Sequence, residues 1–177
     1  VTIHGPVLTS LSASSRPTLE RLYNSLTGNW SRSVEPDNIE LLRSSELELS
    51  GPLVGGNLST LLTTFGTEYD FSYEGKVLFM EDVNEPQYKL DRMFTQLKLA
   101  GKFDNLAGLI IGDFSHNGIQ DAVEKLRYKE FIWKRILELT VDSDYPIIGD
   151  FPIGHCSNNF ALPYGINTKI DITKKRL

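Results

Sequence analysis

Short apolar runs alternate with helical patterns through the middle of the chain. Continuous apolar strands are predicted at Val77–Met80, Leu106–Ile111 and Tyr145–Ile148, because a strand covered on both faces needs no polar alternation. Helical patterns separate these strands, one starting behind Pro86 and one spanning Ile119–Leu139. This order of strand, helix, strand, helix and strand predicts parallel strands joined by crossovers.

Added β-structure is predicted at both ends of the chain. Val1–Pro6 and Asn167–Ile172 are predicted as strands, and Ile39–Ser50 alternates loosely enough for one or two more. A helix that opens at Pro17 carries apolar residues at helical spacing. The predicted fold class is α/β, a three-layer or swivelling β/α domain with a mostly parallel central sheet and added β-structure at both chain ends.

Glycine and asparagine predict where one short helix begins. Gly55 and Gly56 predict a tight turn, after which Asn57 would cap a helix by accepting from its free N–H groups. Leu58 starts the apolar face of this helix, and Gly66 supplies its C-terminal stop.

Composition narrows the function classes. The formal net charge is −5, and the densest basic run is the terminal Lys174-Lys175-Arg176, which argues against nucleic acid as a partner. No apolar run approaches the roughly 18 residues that suggest a membrane helix. Cys156 is the single cysteine, so no internal disulfide is expected. Because the chain starts at Val1 without a methionine, we expect a fragment or a processed form.

Carboxylates and one histidine follow the predicted strands at their carboxyl ends. Glu81 and Asp82 end the first strand, Asp113 follows the second, and Asp150 follows the third, with His155 shortly after it. In open α/β sheets, ligands bind at this edge. We therefore expect a cleft here, although aspartates at strand ends are also ordinary turn residues.

Glu81 and His155 form the most informative pair. A carboxylate that accepts the imidazole N–H fixes the tautomer and stabilises the imidazolium, which prepares the histidine to activate a nucleophile. We expect the two side chains to lie within hydrogen-bond reach. In the alternative interpretation, Glu81 caps the helix behind Pro86 and His155 is an ordinary loop histidine. Glu85 is the rival carboxylate, although an acid just before a helix also favours the helix dipole.

A nucleophile is harder to find in this sequence. No G-x-S-x-G elbow is present. Ser115 lies beside His116, but adjacency alone does not make a nucleophile and base. Cys156 directly follows His155, and neighbouring side chains on an extended segment point apart. The histidines, which also include His4, lack the spacing of a zinc site, so no metal site is predicted.

Four stretches of the chain together resemble one family, the LD-carboxypeptidases, serine peptidases that also include the microcin C immunity proteins. The stretches follow the family's order and cover nearly the whole chain. They are TIHGPVL at Thr2–Leu8, GPLVGGNLSTLLTTFGTEYD at Gly51–Asp70, GKVLFMEDVNEPQYKLDRMFTQLKLAGKFDNLAGLIIGDF at Gly75–Phe114, and YPIIGDFPIGHCSNNFALPYG at Tyr145–Gly165.

The resemblance implies a Ser-His-Glu triad divided between two domains. The histidine of the GH motif falls on His155 and the glutamate of the ED motif on Glu81, with Glu85 as the fallback if the register is shifted. Residues 1–177 would form one domain that resembles the family's C-terminal domain, with residues 1–38 as a linker and helix from the domain junction. The N-terminal domain with the nucleophilic serine would be absent, so the chain alone should not hydrolyse its substrate.

The implied activity of the parent protein is hydrolysis of an amide bond between an L- and a D-amino acid. The substrate class is the muropeptide tetrapeptide, which loses its terminal D-Ala during peptidoglycan recycling in the cytoplasm. The resemblance implies no metal or organic cofactor, no nucleic-acid or membrane partner, and a homodimer. Two alternatives stay open: an immunity-type peptidase that cleaves a peptide–nucleotide conjugate, and a non-catalytic binding module that keeps the fold.

Overall fold

The computed structural model describes residues 2–29, 39–46 and 49–170. Within them, the strands are β1 (Thr2–His4), β2 (Glu40–Arg43), β3 (Leu49–Asn57), β4 (Val77–Glu81), β5 (Gly108–Ile111), β6 (Ile147–Gly149), β7 (Leu162–Tyr164) and β8 (Asn167–Ile170). The helices are α1 (Arg16–Leu26), α2 (Leu58–Leu62), α3 (Gln87–Leu99) and α4 (Ala122–Leu139), and a 3-10 helix spans Leu8–Ala13. Val1 and Ile172, the outer ends of the first and last predicted strands, lie outside the described residues, as does the terminal basic run.

Four parallel strands form the centre of a six-stranded sheet. The strand order is β2-β6-β5-β4-β3-β8, in which β3 to β6 pair in parallel and β2 and β8 are antiparallel at the two edges. A second, two-stranded sheet pairs β1 with β7 in antiparallel orientation. The predicted α/β class, with its mostly parallel sheet and added β-structure at the chain ends, is confirmed. Strand β7 is not among the predicted strands, since a short segment with Pro163 at its centre gives no periodic signal.

Two hydrophobic clusters cover the two faces of the central sheet. Leu78 and Met80 on β4 pack with α3 and α4, whereas Val77 and Phe79 belong to the cluster on the opposite face. All four side chains are fully buried, which explains why β4 is a continuous apolar run. The buried positions of α3 are those that its spacing predicts, Leu90, Met93, Phe94 and Leu97.

Gly55 and Gly56 lie inside β3, so the tight turn predicted at this point is wrong. Their φ angles are 142° and 143°, and a Cβ on Gly55 would lie 1.9 Å from the carbonyl oxygen of Phe79 on β4. The glycine therefore permits a close approach of two parallel strands, a role that resembles a turn signal in the sequence. Asn57 caps α2 as predicted, since its side chain accepts from the Thr60 N–H at 3.1 Å.

Helix α1 presents its apolar stripe to the surface. Leu19, Tyr23 and Leu26 are exposed, whereas the small polar residues Thr18 and Ser25 are buried. Helical periodicity therefore predicts this helix without identifying its packed face. In the described part of the chain, none of the helices has the length and apolar character of a membrane span.

Gly55→Ala should destabilise the domain more than Gly56→Ala. Both substitutions place a Cβ at a positive φ, which costs about 1–3 kcal/mol, but the new Cβ at position 56 would have no neighbouring atom within 4 Å. Gly55→Ala adds an overlap with Phe79 and should lower the free energy of unfolding by a further ~2 kcal/mol or more. Urea denaturation followed by circular dichroism measures both losses. Equal losses would show that β3 and β4 separate freely at this point.

Candidate active site

Glu81 ends strand β4 and lies inside the domain. Its register partner on β3 is Asn57, and the residue is 2% exposed. Burial raises the pKa of Glu81 above its ordinary value, because removal from water disfavours the charged form. A hydrogen bond with His155 opposes this shift, and the neighbouring Asp82 charge adds to it. The site therefore contains a buried carboxylate whose charge depends on its histidine partner.

His155 lies in the loop after β6, and its ring reaches Glu81. Nδ1 of His155 is 3.0 Å from Oε2 of Glu81, so the predicted contact between these distant residues is present. The His155 side chain is 52% exposed and the Glu81 side chain 2%. When Nδ1–H donates to the carboxylate, Nε2 keeps its lone pair and can accept a proton from a hydroxyl. The geometry is that of a base oriented by an acid.

Two glycines permit close packing around Glu81. A Cβ on Gly154, where φ is 108°, would lie 2.7 Å from Oε2 of Glu81. A Cβ on Gly112 would lie 2.5 Å from Cγ1 of Ile153 and 3.2 Å from Cβ of Glu81, so this glycine mainly makes room for Ile153. Gly112 follows β5 and Gly154 directly precedes His155, so the segments after two neighbouring strands pack beside Glu81. The glycine of the GH motif is therefore part of the site geometry.

Asp82 accepts hydrogen bonds that connect neighbouring elements of the fold. It accepts from the backbone N–H and Oγ of Ser59 at 2.9 and 2.7 Å, and from the Asn57 side-chain amide at 3.1 Å. Its own loop adds a bond from the Val83 N–H at 2.8 Å. These donors lie around the first turn of α2, so Asp82 joins the end of β4 to the start of that helix.

Glu85, the fallback for the triad acid, has a different ion-pair partner. Its carboxylate lies 2.7 Å from Nζ of Lys89, which lies in the first turn of α3. Of the two glutamates considered for the site, Glu81 is the one that contacts the imidazole of His155. The structure therefore brings Glu81 and His155 together, and their catalytic roles remain predictions.

The aspartates after the next two strands make other contacts. Asp113 accepts from Oγ of Ser115 at 2.9 Å, and burial raises the pKa of its carboxyl group. Asp150, which has a φ of 53°, forms an ion pair with Lys129 at 2.8 Å. These two carboxylates follow neighbouring strands, as the sequence predicts, but they hold local structure rather than an imidazole.

The Ser115 hydroxyl and the Cys156 thiol are not arranged as nucleophiles. Ser115 donates its hydroxyl proton to the Asp113 carboxylate rather than to an imidazole. Burial raises the pKa of Cys156 to about 11, so the thiol stays protonated at neutral pH. Neither group is therefore paired with the base that His155 offers.

Two cavities adjoin each other at the His155 loop. The smaller, about 380 Å³, is lined by Glu81 and His155 together with His4 and Asn159. The larger, about 620 Å³, runs along the segments after β5 and β6 and shares Cys156 with the smaller one.

His4 and Asn159 line the smaller cavity although sequence reasoning does not select them. Nε2 of His4 is buried and has no hydrogen-bond partner among the described residues, and burial, together with the His155 charge, lowers the pKa of His4. Asn159 is 8% exposed and accepts from the Gly154 N–H at 3.1 Å. Both residues lie in stretches that resemble the family, which is the available signal in the sequence.

Metal-ligand geometry is not found in the part of the chain that the structure describes. No three His, Cys, Asp or Glu side chains among residues 2–29, 39–46 and 49–170 are arranged to hold an ion. His116 lines the larger cavity and not the one beside Glu81, and its Nδ1 accepts from the Gly118 N–H at 3.1 Å. It therefore belongs to a local turn.

Comparison with known proteins gives a consistent match. Residues 50–170 match the family model of the LD-carboxypeptidase C-terminal domain. The chain is 32% identical over 182 aligned positions to the probable murein peptide carboxypeptidase of Bacillus subtilis, which covers 99% of this chain and 54% of that protein. It is 25% identical to the microcin C7 self-immunity protein of Escherichia coli, over 100% of this chain and 58% of that protein.

A solved structure agrees with these matches. The muramoyltetrapeptide carboxypeptidase from Oxalobacter formigenes superposes with a TM-score of 0.69 at 26% identity, over 94% of this chain and 56% of that chain. The chain spans about half the length of the curated relatives it matches. A large part of each relative therefore lies outside the match.

Glu81→Gln should change how stability depends on pH. The pKa of Glu81 is raised in the folded state. The contribution of this residue to the free energy of unfolding is therefore fully present below the unfolded-state pKa and is lost as pH rises through the folded-state pKa. The variant lacks this loss, so its stability relative to the parent should be more favourable at pH ~7.5 than at pH ~4. Urea denaturation at both pH values measures the difference. Glu85→Gln is the control, and an equal effect there would contradict the assignment.

Gly154→Ala should separate Glu81 from His155. The new Cβ would overlap the carboxylate and sit at an unfavourable φ, with an expected loss of about 2 kcal/mol in the free energy of unfolding. Denaturation measures this loss, and the NMR signals of the His155 ring report the contact. Gly165→Ala is the matched control, since φ there is 78° and no atom lies within 4 Å of the new Cβ. Unchanged His155 signals in a folded Gly154→Ala variant would contradict the steric argument.

Proposed function

The chain belongs to the LD-carboxypeptidase family, whose C-terminal domain it matches, and we propose that it supplies the acid and base of a serine peptidase acting on murein tetrapeptides. The observation that carries this proposal is the 3.0 Å contact between Nδ1 of His155 and Oε2 of Glu81. An acyl-transfer site needs, in addition to its nucleophile, a buried acid and an imidazole that the acid orients, with Nε2 left for the nucleophile; no hydrogen bond from the described residues occupies Nε2 of His155.

In the proposed reaction, a serine hydroxyl attacks the carbonyl carbon of the peptide bond. Its proton passes to Nε2 of His155, and Glu81 stabilises the imidazolium through Nδ1. The imidazolium then gives this proton to the nitrogen of the departing amino acid. A water molecule hydrolyses the acyl-enzyme by the same route, which restores the serine hydroxyl and the neutral imidazole.

We propose that the serine belongs to a domain outside these 177 residues. The Ser115 contact with Asp113 and the raised pKa of the Cys156 thiol support this proposal, as does the length of the relatives, of which the chain spans about half. The exposed side of the His155 ring, on a side chain that is 52% exposed, is open to such a hydroxyl. On this view, the chain by itself lacks hydrolytic activity.

The proposed substrate is a muropeptide whose last bond joins an L- to a D-amino acid. The support comes from relatives, since the Bacillus subtilis and Oxalobacter formigenes proteins are named for murein peptide and muramoyltetrapeptide carboxypeptidase activity. Release of the terminal D-Ala is the corresponding reaction. Recycling of such peptides places the proposed activity in the cytoplasm, and a homodimer is the proposed assembly.

A second candidate substrate is a peptide–nucleotide conjugate. It is favoured by the match to the microcin C7 self-immunity protein, which extends over the whole of this chain. The same Glu81–His155 pair would serve the same acyl transfer, so the two candidates differ in the pocket and not in the chemistry. A direct comparison of substrates separates them.

His155→Ala and Glu81→Ala should each abolish most of the activity. The chain is joined to a serine-bearing N-terminal half, taken from the upstream reading frame or from the Bacillus subtilis relative, and assayed for D-Ala release from a murein tetrapeptide. Each variant should lower kcat/KM by at least ~10³-fold, since the remaining groups do not act independently. Glu85→Ala, at the neighbouring carboxylate that pairs with Lys89 instead of His155, should leave activity near the parent value.

Three outcomes would contradict the proposal. One is D-Ala release that survives His155→Ala, and another is activity of the isolated chain. The third is an upstream reading frame without a serine elbow together with an inactive fusion, which would favour a non-catalytic binding module. Cleavage of a peptide–nucleotide conjugate without D-Ala release would select the second substrate.

A further inference from the structure

Asn159 lies just after His155 in the same loop and is almost completely buried. Its exposure is 8%, which is low for an amide side chain that follows the exposed Asn158. A buried amide needs hydrogen-bond partners to offset its loss of hydration. The hydrogen bonds of Asn159 therefore indicate its role in the loop.

Asn159 holds the loop on both sides of His155. Its side-chain Oδ1 accepts from the Gly154 N–H at 3.1 Å, before the histidine. Its backbone N–H donates to the Cys156 carbonyl at 3.2 Å, after the histidine. His155 is thus enclosed in a short loop that a single residue closes from both directions.

Gly154, which donates its N–H to Asn159, also packs against the Glu81 carboxylate. It has a φ of 108°, and a Cβ there would lie 2.7 Å from Oε2 of Glu81. The backbone at Gly154 therefore runs directly against the carboxylate. A small movement of this residue changes the distance between Glu81 and the adjacent His155.

The His155 ring has few restraints of its own. Its side chain is 52% exposed, and within the described residues the hydrogen bond of its ring is the one to Glu81. A half-exposed side chain held by one bond explores other rotamers unless its backbone is fixed. The loop must therefore supply most of the orientation.

We propose that Asn159 is a positioning residue, which fixes Gly154 through its side-chain oxygen and thereby holds His155 in the Nδ1–H tautomer against Glu81. The inference deepens the proposed function, because it concerns the base of the same site. Its test uses the 177-residue chain without substrate, so its result is independent of whether the peptidase assay succeeds.

The tautomer of His155 is the direct readout. The chain has three histidines, so long-range proton–nitrogen NMR spectra are simple, and His155→Gln assigns the relevant signals. In the parent, His155 should be protonated on Nδ1. Asn159→Ala should convert it to the Nε2–H form or to a mixture, whereas Asn158→Ala, the neighbouring amide removed in the same way, should leave it unchanged.

The titration of Glu81 is the second readout. Its hydrogen bond with His155 lowers the pKa of this buried carboxyl group against the raising effect of burial. Loss of the contact in Asn159→Ala should therefore move the carbon-13 titration midpoint of Glu81 upward, toward the midpoint in His155→Gln. Asp82 remains beside Glu81 in every variant and does not account for such a change. A merely structural Asn159 would lower stability without moving this midpoint.

Asn159→Asp keeps an oxygen that can accept from the Gly154 N–H and should retain the Nδ1–H tautomer. Thermal denaturation establishes that each variant is folded. A folded Asn159→Ala with the parent tautomer and the parent Glu81 midpoint would overturn the proposal. If Asn159→Ala does not fold, Asn159→Asp tests the proposal instead. A folded aspartate variant without the Nδ1–H tautomer would overturn the proposal, and one with this tautomer would support it.

Discussion

The buried carboxylate of Glu81 is the constraint on which the site depends. A carboxylate withdrawn from water is costly unless donors surround it, and Glu81 is 2% exposed at the end of a central strand. The position of the acid is set by β4, which lies between β3 and β5. His155 belongs to a loop, so it is the loop that must be fitted to the acid. Gly154 allows this fit because it leaves the space beside the carboxylate unfilled.

Neighbouring carboxylates in this region take different roles because their surroundings differ. Asp82 is surrounded by donors from the start of α2, and Glu85 is neutralised by Lys89. Glu81 has the imidazole as its partner. The three residues occupy a single short segment with the same ionisable chemistry, and the packing of α2, α3 and the His155 loop distinguishes them.

Much of the fold follows from the sequence, since the β4 run and the α3 face at Leu90, Met93, Phe94 and Leu97 carry clear periodic signals. The Glu81–His155 contact was accessible because parallel strands bring their carboxyl ends together. The role of Gly55 does not follow from the sequence, because glycine is typical both of turns and of close contacts between backbones. Only the position of Phe79 on the neighbouring strand distinguishes the two. The sequence does not predict a role for Asn159 for a related reason: the role that we propose depends on one hydrogen bond, which its side chain accepts from the Gly154 N–H.

The uneven burial of the pair fits the proposed active site, which would be divided between two domains. Nδ1 of His155 faces a buried acid, while the ring as a whole stays half exposed. Water can form a hydrogen bond with Nε2 of such an imidazole. It also screens the attraction between the Glu81 carboxylate and an imidazolium, which weakens the stabilisation. A surface that covers the exposed side would exclude this water and present a hydroxyl to Nε2 at the same time. Orientation of the imidazole and its activation are therefore separable. In the proposed enzyme, the His155 loop of this chain supplies the orientation, and a serine-bearing domain supplies the activation.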